Sequence, residues 1–575
     1  MRRGRGTAVK APNHTARPAK ELGQLTETAI TSISAASLHE LVTGNQEFAL
    51  VDVREAGATA EQGSILLAIS VPLSRLELRI GSLIPRRSTR VIVYSGADGL
   101  AERGAQRLTE LGYTNVEILE GGIEAWGKVG YKVHSGGDNV IGQAFGEWIE
   151  EVYETPHISV PEYLGKVEAG EDIVLLDSRP LPEYERHSLP DGTSIPGSEL
   201  VYRAKELVKS PDSLVVVHCA GRTRSILGAQ VLINAGLPNR VVSLEGGTQS
   251  WVLEGHELNH GQSVEAPAPG PESLAVANES ARRMAERFGV QQIDKAALEQ
   301  FRAESDERTL YLLDVRTPEE FAAGHLPGSS SAPSWDVAPW VFRYVGTHNS
   351  RVVLIDNDQV RATVAASWII QIGWAEVYVL RDALTGEPLE TGSAPRSKVL
   401  GLPESGYGVI SPEKLEAERN AGAEVTILDL QPSTSVSVLA PHATGSYRQG
   451  HVPGAHFAIR SRLAGSVDDI PGEGQIVLVS EDDLVARFAA AELSEVTSRP
   501  VAVLEGGIKA WQKAGLPLET GTERFLHAPN DLVRSGWRET DPEEQKAGFR
   551  WYLGWELGLP EELRADDTVP FRTFA

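Results

Sequence analysis

Cysteine is almost missing from this sequence: Cys219 is the single one in 575 residues. An intramolecular disulfide is therefore impossible, and so is a cysteine-ligated zinc cluster. Such a composition suits a reducing compartment, so a cytoplasmic location is expected. Long apolar runs are missing too. No stretch approaches the roughly 20 consecutive apolar residues of a membrane-spanning helix, and no membrane association is expected. Positive charge is in deficit, with 54 Lys and Arg against 79 Asp and Glu and a formal net charge of -25. That balance argues against a general nucleic-acid or anionic-membrane binder. The early basic residues Arg2, Arg3, Arg5, Lys10, Arg17 and Lys20 are followed by no apolar segment. They make no secretory signal and read as a flexible tail over residues 1–29.

What the chain has in abundance is repetition. Three markers recur four times in the same order. The first is an apolar run ending in Asp: ALVDVRE at Asp52, VLLDSRP at Asp177, YLLDVRT at Asp314 and TILDLQP at Asp429. The second is a β-branched run entering a polar loop: VIVYSGADG, VVVHCAGRTRS, VVLIDNDQV and IVLVSEDDL. The third is a short strand entering a turn: ILEGGIEAW, SLEGGTQSW, VLRDALTGE and VLEGGIKAW. Aligned loop positions fall on Ser95, Cys219, Asp356 and Ser480. Their spacing of roughly 120–140 residues is too long for a solenoid repeat, so each unit should carry its own core. The fourth copy holds an insertion around STSVSVLAPHATG.

Short Val/Ile/Leu runs read as strands buried on both faces, and helical patterns lie between them. The expected class is α/β, with four tandem domains, each a mainly parallel sheet flanked by helices. The units span 30–137, 156–261, 290–393 and 409–521. Linkers occupy 138–155, 262–289 and 394–408, and a C-terminal tail covers 522–575. The Pro, Gly, Ala and Ser content of 262–289 predicts an extended, mobile connection. The tail carries Trp537, Trp551 and Trp555 and is expected to pack against a domain.

The second loop is where chemistry is expected. A strand, Leu214 to His218, delivers Cys219 to its carboxyl end, where parallel sheets place ligands. Ala220, Gly221, Arg222, Thr223 and Arg224 form a tight loop, and a helix begins near Ser225. Backbone N–H groups in such a loop can form an anion nest, and the helix adds its positive end. Arg222 and Arg224 add formal charge. Together these are expected to lower the pKa of Cys219 and favour the thiolate. Gly221 lets the loop close without a Cβ clash.

The order D-x-R, strand–Cys loop–helix, EGG resembles the rhodanese family of sulfurtransferases, in four copies covering nearly the whole chain. The resemblance implies a nucleophile at Cys219 and a persulfide cradle at Ala220 to Arg224. It implies supporting roles for Asp177, Arg179, Glu245, Gly246 and Gly247. His218 should face away from Cys219 by strand alternation. Units one, three and four, with Ser95, Asp356 and Ser480 in place of Cys, are expected to be inactive. The implied reaction is a double displacement. A sulfane sulfur passes from thiosulfate, mercaptopyruvate or a glutathione persulfide to Cys219, and then to a thiol or cyanide. No metal or organic cofactor is implied. With no second cysteine, the acceptor is another molecule, small or protein; self-association stays open. Two alternatives stand beside this reading. One is a non-enzymatic scaffold or persulfide carrier and sensor. The other, a cysteine-dependent phosphatase, fits less well, because only four residues separate Cys219 from Arg224 where phosphatases place five.

Overall fold

A computed structural model describes residues 30–393, 399–434 and 445–575. The basic tail and most of the insertion in the fourth unit lie outside the described residues. Four five-stranded sheets follow one another, and all share one strand order, with the second marker's strand in the centre. Every strand pairing within them is parallel.

The second unit positions the site. Its strands are β1 (His157–Ile158), β2 (Ile173–Asp177), β3 (Thr193–Ser194), β4 (Leu214–His218) and β5 (Val241–Leu244), ordered β1-β5-β4-β2-β3. All five residues of β4 are buried. An unbroken Leu-Val-Val-Val run suits a strand covered on both faces, where alternation would leave a polar residue in the core. The register sets Asp177 opposite His218, so the first and second markers end side by side at the carboxyl edge.

Helices occupy two segments read as linkers. Residues Ile141–Tyr153 form α1, and Pro271–Phe288 form α4, which corrects the extended reading of 262–289. Pro271 sits in the first turn of α4 and Gly289 ends it at φ 67°, the positions each residue favours. Ala277, Ala281, Met284 and Phe288 lie on one buried face. Alanine is the best helix former, so a stretch rich in it and anchored at both ends prefers a helix to an extended chain. Between them, Thr223–Asn234 form α2 and Gly247–Leu253 form α3. The helix after the cysteine loop thus starts two residues earlier than expected.

The C-terminal segment carries α5 (Pro542–Arg564), which packs on α1 and α3. Trp555 Nε1 donates to the Ser135 carbonyl at 2.8 Å, and Trp537 stacks on His187 at 4.0 Å. Trp551 stacks on Trp555 but stays 53% exposed.

One continuous apolar core runs through the first three units and takes in Leu559 and Leu563 of α5. The fourth unit has two clusters of its own. It joins the first through polar contacts, including a buried Arg460–Glu77 pair at 2.7 Å and Ser461 Oγ donating to Glu55 at 3.0 Å.

Candidate active site

Cys219 follows β4 directly and is 2% exposed. Two segments hold its loop from below. Asp177 and Arg179 make a fully buried pair, Nε to Oδ1 at 2.9 Å and Nη2 to Oδ2 at 2.6 Å. Burial alone would raise Asp177, but Arg179 and His218 hold its carboxyl below the usual range. Arg179 also donates to the His187 carbonyl at 2.7 Å. Between them, the Ser178 N–H and hydroxyl both donate to the His218 carbonyl at 2.9 Å. Ser178, between the two members of the pair, therefore fixes His218, the residue before Cys219. His218 is buried, with Nε2 3.6 Å from Asp177, and burial keeps its imidazole below its ordinary pKa.

The third marker docks on the loop itself. The Thr248 and Gln249 N–H groups donate to the carbonyls of Cys219 and Ala220 at 2.9 and 3.0 Å. This approach needs Gly247, whose φ is +49° and whose Cβ would sit 2.1 Å from the Cys219 carbonyl oxygen. Gly246 also lies at positive φ. Glu245 stays partly exposed, 3.6 Å from Arg222.

The two arginines behave differently. Arg224, in the first turn of α2, is gripped by Glu183 through two bonds of 2.7 and 2.8 Å. So held, its charge favours the Cys219 thiolate. Arg222 turns away to α1. It donates twice to Glu147 at 2.9 Å and also pairs with Glu150. Its charge is met by carboxylates before it reaches the sulfur.

The expectation of a lowered thiol pKa is overturned. Burial pushes Cys219 up, and Arg224 and Ser225 offset only part of this. A further contribution comes from a residue that no local motif announces. Glu556 of α5 is fully buried against the loop. Its Oε1 accepts from Thr223 Oγ1 and Tyr552 OH, each at 2.9 Å. Its Oε2 has no hydrogen-bond partner and faces Gly221, where a Cβ would approach it to 3.2 Å. Gly221 is thus the gap into which α5 fits. Burial, with Glu147 nearby, pushes Glu556 up to about 8.

A model of the rhodanese-like domain matches residues 34–128, 159–254, 297–386 and 411–514. The chain belongs to the rhodanese family. Its whole architecture is similar to the crystal structure of a thiosulfate sulfurtransferase from Pseudomonas aeruginosa. The two are 38% identical with a TM-score of 0.87, over 95% of this chain and 100% of that one. A sulfurtransferase from Allochromatium vinosum is 31% identical over 97 residues, 17% of this chain and 82% of that protein. The putative sulfur carrier protein YrkF of Bacillus subtilis is 30% identical over 102 residues, 18% of this chain and 54% of the carrier. The chain spans 59% and 54% of the length of the first two curated relatives it matches.

The other three rhodanese-like loops fill their own cradles. Ser95 Oγ accepts from the Ala101 N–H at 3.1 Å, and Ser480 Oγ from Ala486 at 3.2 Å. Asp356 accepts from Gln359 at 2.6 Å and Ala362 at 2.9 Å. In each, a side-chain oxygen satisfies the N–H six residues on. Burial and Asp358 push Asp356 up to about 7. In the fourth unit Gln431 replaces the arginine and donates to Asp429 at 2.9 Å. An amide supplies the hydrogen bond without the charge, and burial then lifts Asp429 to about 7.

Two predictions arise here. Asp356→Cys is expected to load sulfur more slowly than Cys219: Arg361, held by Glu320, stands five residues on as Arg224 does, but Asp358 in the same loop opposes a thiolate. Equal loading of both thiols in an intact-mass time course with thiosulfate would refute the electrostatic argument.

Glu556→Gln is expected to change two pH profiles. The folded-state pKa of Glu556 lies above its unfolded value. Its stabilising contribution is therefore complete below about 4.5 and is lost as pH rises to about 8. The Gln variant should gain Tm relative to the parent across that window. It should also alkylate Cys219 with iodoacetamide at lower pH, since a charged Glu556 opposes the thiolate. Coincident profiles for variant and parent would remove Glu556 from the site's electrostatics.

Proposed function

We propose that the protein is a sulfurtransferase working through a persulfide on Cys219. The observation that carries this reading is the contrast among the four loops. In three of them a serine or aspartate oxygen takes the N–H six residues on, and only the second unit puts a thiol in that place, beside Arg224 clamped by Glu183. With thiosulfate, the Cys219 sulfur attacks the outer sulfur and the S–S bond of the donor breaks. Sulfite leaves, and the thiol proton ends on the new persulfide. An external thiol or cyanide then takes the outer sulfur and returns Cys219 to its starting state. The loop N–H groups and α2 face the sulfur throughout, where they favour negative charge. Asp177, Arg179 and the Glu245–Gly247 segment serve as the frame.

The raised thiol pKa fits a nucleophile that rests protonated and is deprotonated as a donor enters. The lone cysteine fits a reducing, cytoplasmic setting. Among the described residues no helix is long and apolar enough to cross a membrane. Against the phosphatase alternative stands the loop length, four residues between Cys219 and Arg224 where phosphatases place five.

The test is intact-protein mass after brief exposure to thiosulfate, mercaptopyruvate or glutathione persulfide. A gain of one sulfur, about 32 Da, removable by thiol or cyanide, is the expected result. Loading without turnover would favour the carrier reading. No loading of folded, reduced protein with any donor would overturn sulfur transfer.

A further inference from the structure

The thiol opens into a cavity of about 1560 Å³, larger than the roughly 300–1,000 Å³ usual for a small-molecule site. Thiosulfate has five heavy atoms and needs little of it. The first unit, the third unit and the segment before α5 all contribute to its walls, together with the Cys219 loop.

Those walls carry three arginines, Arg75, Arg79 and Arg538, that form no ion pair among the described residues. Arg75 and Arg79 stand one turn apart in the first unit, and Arg343 reaches in from the third. Arg75 donates to the Leu430 carbonyl at 3.2 Å and Arg79 to the Ser70 carbonyl at 2.9 Å. Neither forms an ion pair among the described residues. Arg343 pairs with Asp336 at 3.2 Å. Arg538 donates to the Val533 carbonyl, and its buried Nε has no partner. Burial, with Arg343 and Arg75 beside it, weakens the charged form of Arg79, and only Asp138 favours it. Burial also lowers Arg538, against Asp531, Asp138 and Glu539. Arg75 favours the charge of Glu55, but burial disfavours that charge and the Glu55 oxygens already accept from Ser74 and Ser461. By contrast, Arg222, Arg224 and Arg460 in the same walls are paired with glutamates, and the exposed Arg534 lies 3.8 Å from Glu61.

Guanidinium groups crowded together with backbone carbonyls as partners make a site for an anion supplied from outside, because each keeps donors in reserve. Trp537 and Trp340 line the same space and offer apolar faces to a linking chain.

We propose that Arg75, Arg79 and Arg538 bind the anionic end of a bulky thiol or persulfide substrate. Its class is a small molecule bearing two or more carboxylate or phosphate groups remote from its sulfur. The inference rests on the sulfurtransferase reading and deepens it. The step is an exchange: R–S–SH and the Cys219 thiol give R–SH and the Cys219 persulfide. The donor S–S bond breaks, the new one forms at Cys219, and the thiol proton passes to the departing R–S. No oxidant is consumed. Run backward, the same site serves an acceptor of the same class.

The experiment is calorimetric titration of the full chain with S-methylglutathione, with its diethyl ester, and with S-methyl coenzyme A. None can exchange sulfur, so binding is read apart from chemistry. At least one of the two anionic probes is expected to bind. The R75Q/R79Q variant and R538Q should each weaken that probe about 10-fold or more, the scale of a lost charge-assisted pair. If the carboxylate probe is the binder, its ester should bind about 10-fold more weakly than the acid. Which probe binds tells carboxylate from phosphate. Far-UV circular dichroism like the parent's and a Tm within about 4 °C of it certify the fold of the variants. Binding by neither probe, unchanged affinity in folded variants, or, where the acid binds, equal binding of its ester would overturn the proposal. If thiosulfate still loads Cys219 in that event, sulfur transfer survives and only the anion site fails.

Discussion

Cys219→Ser is expected to abolish sulfur loading while leaving the fold as stable as the parent or more so. The chain already contains the precedent. Ser95 and Ser480 occupy the same position in two sister loops, and each accepts the N–H six residues on. A serine at 219 would meet the Ser225 N–H in the same way. Its oxygen is a better acceptor than sulfur, so the loop should tighten. The chemistry disappears for a separate reason: a serine hydroxyl ionises far above neutral pH and forms no persulfide. Intact mass after thiosulfate, thiocyanate formation with cyanide, and Tm together read this result. Transfer retained above the uncatalysed background would end the Cys219 mechanism.

Gly247→Ala should be nearly as damaging to activity, by a backbone route. Three of the four units place a glycine at positive φ here, and the carbonyl it meets belongs to the loop's key residue. The hypothetical Cβ comes within 2.4 Å of the Ser95 oxygen at Gly122, 2.1 Å of the Cys219 oxygen at Gly247 and 2.3 Å of the Ser480 oxygen at Gly507. Alanine must push the Cys219 carbonyl away and break the Thr248 and Gln249 bonds that anchor it. The left-handed backbone alone costs about 1–3 kcal/mol, before the clash is counted. The third unit is the control that nature supplies. It has Ala383 at this place and Asp382, at φ 49°, before it, and among the described residues no helix lies between its last strand and the first strand of the fourth unit. The expected outcome for Gly247→Ala is a Tm several degrees lower and sulfur loading slowed by at least about 100-fold, since small displacements of a reacting atom are that costly. Parent-like loading would mean that the third marker is a passive neighbour of the nucleophile.

The sequence yields most of the frame and about half of the site. The four parallel sheets follow from the Val/Ile/Leu runs, since a strand buried on both faces has no other composition to choose. Asp177 with Arg179, and Gly246 with Gly247, are local patterns whose partners lie on adjacent strands, so their roles are legible once the sheet is drawn. Glu147, Glu150 and Glu556 are different. Their meaning comes from α1 and α5 packing on a loop distant in sequence, and an acidic residue in an amphipathic helix reads as a solvated face. The thiol's pKa fails for the same reason. Two arginines near a cysteine predict a lowered value, and only the packed structure reveals burial, Arg222 turned to α1, and a carboxyl against Gly221. The α4 helix was hidden by prolines and glycines that turn out to mark its surroundings and its ends.

The bond from Thr223 to Glu556 joins residues 333 apart in the chain. At the ~5–20 residues per second of synthesis, the ribosome spends roughly 20–60 s between making the nucleophile's loop and making the helix that closes it. During that interval a nascent second unit carries a reactive-type thiol with one wall absent and no carboxyl beside Gly221. A truncated chain would keep that state for good. Completion of translation therefore acts as the last step in building the pocket around Cys219, and a protein shortened before α5 is a different reagent from the finished one.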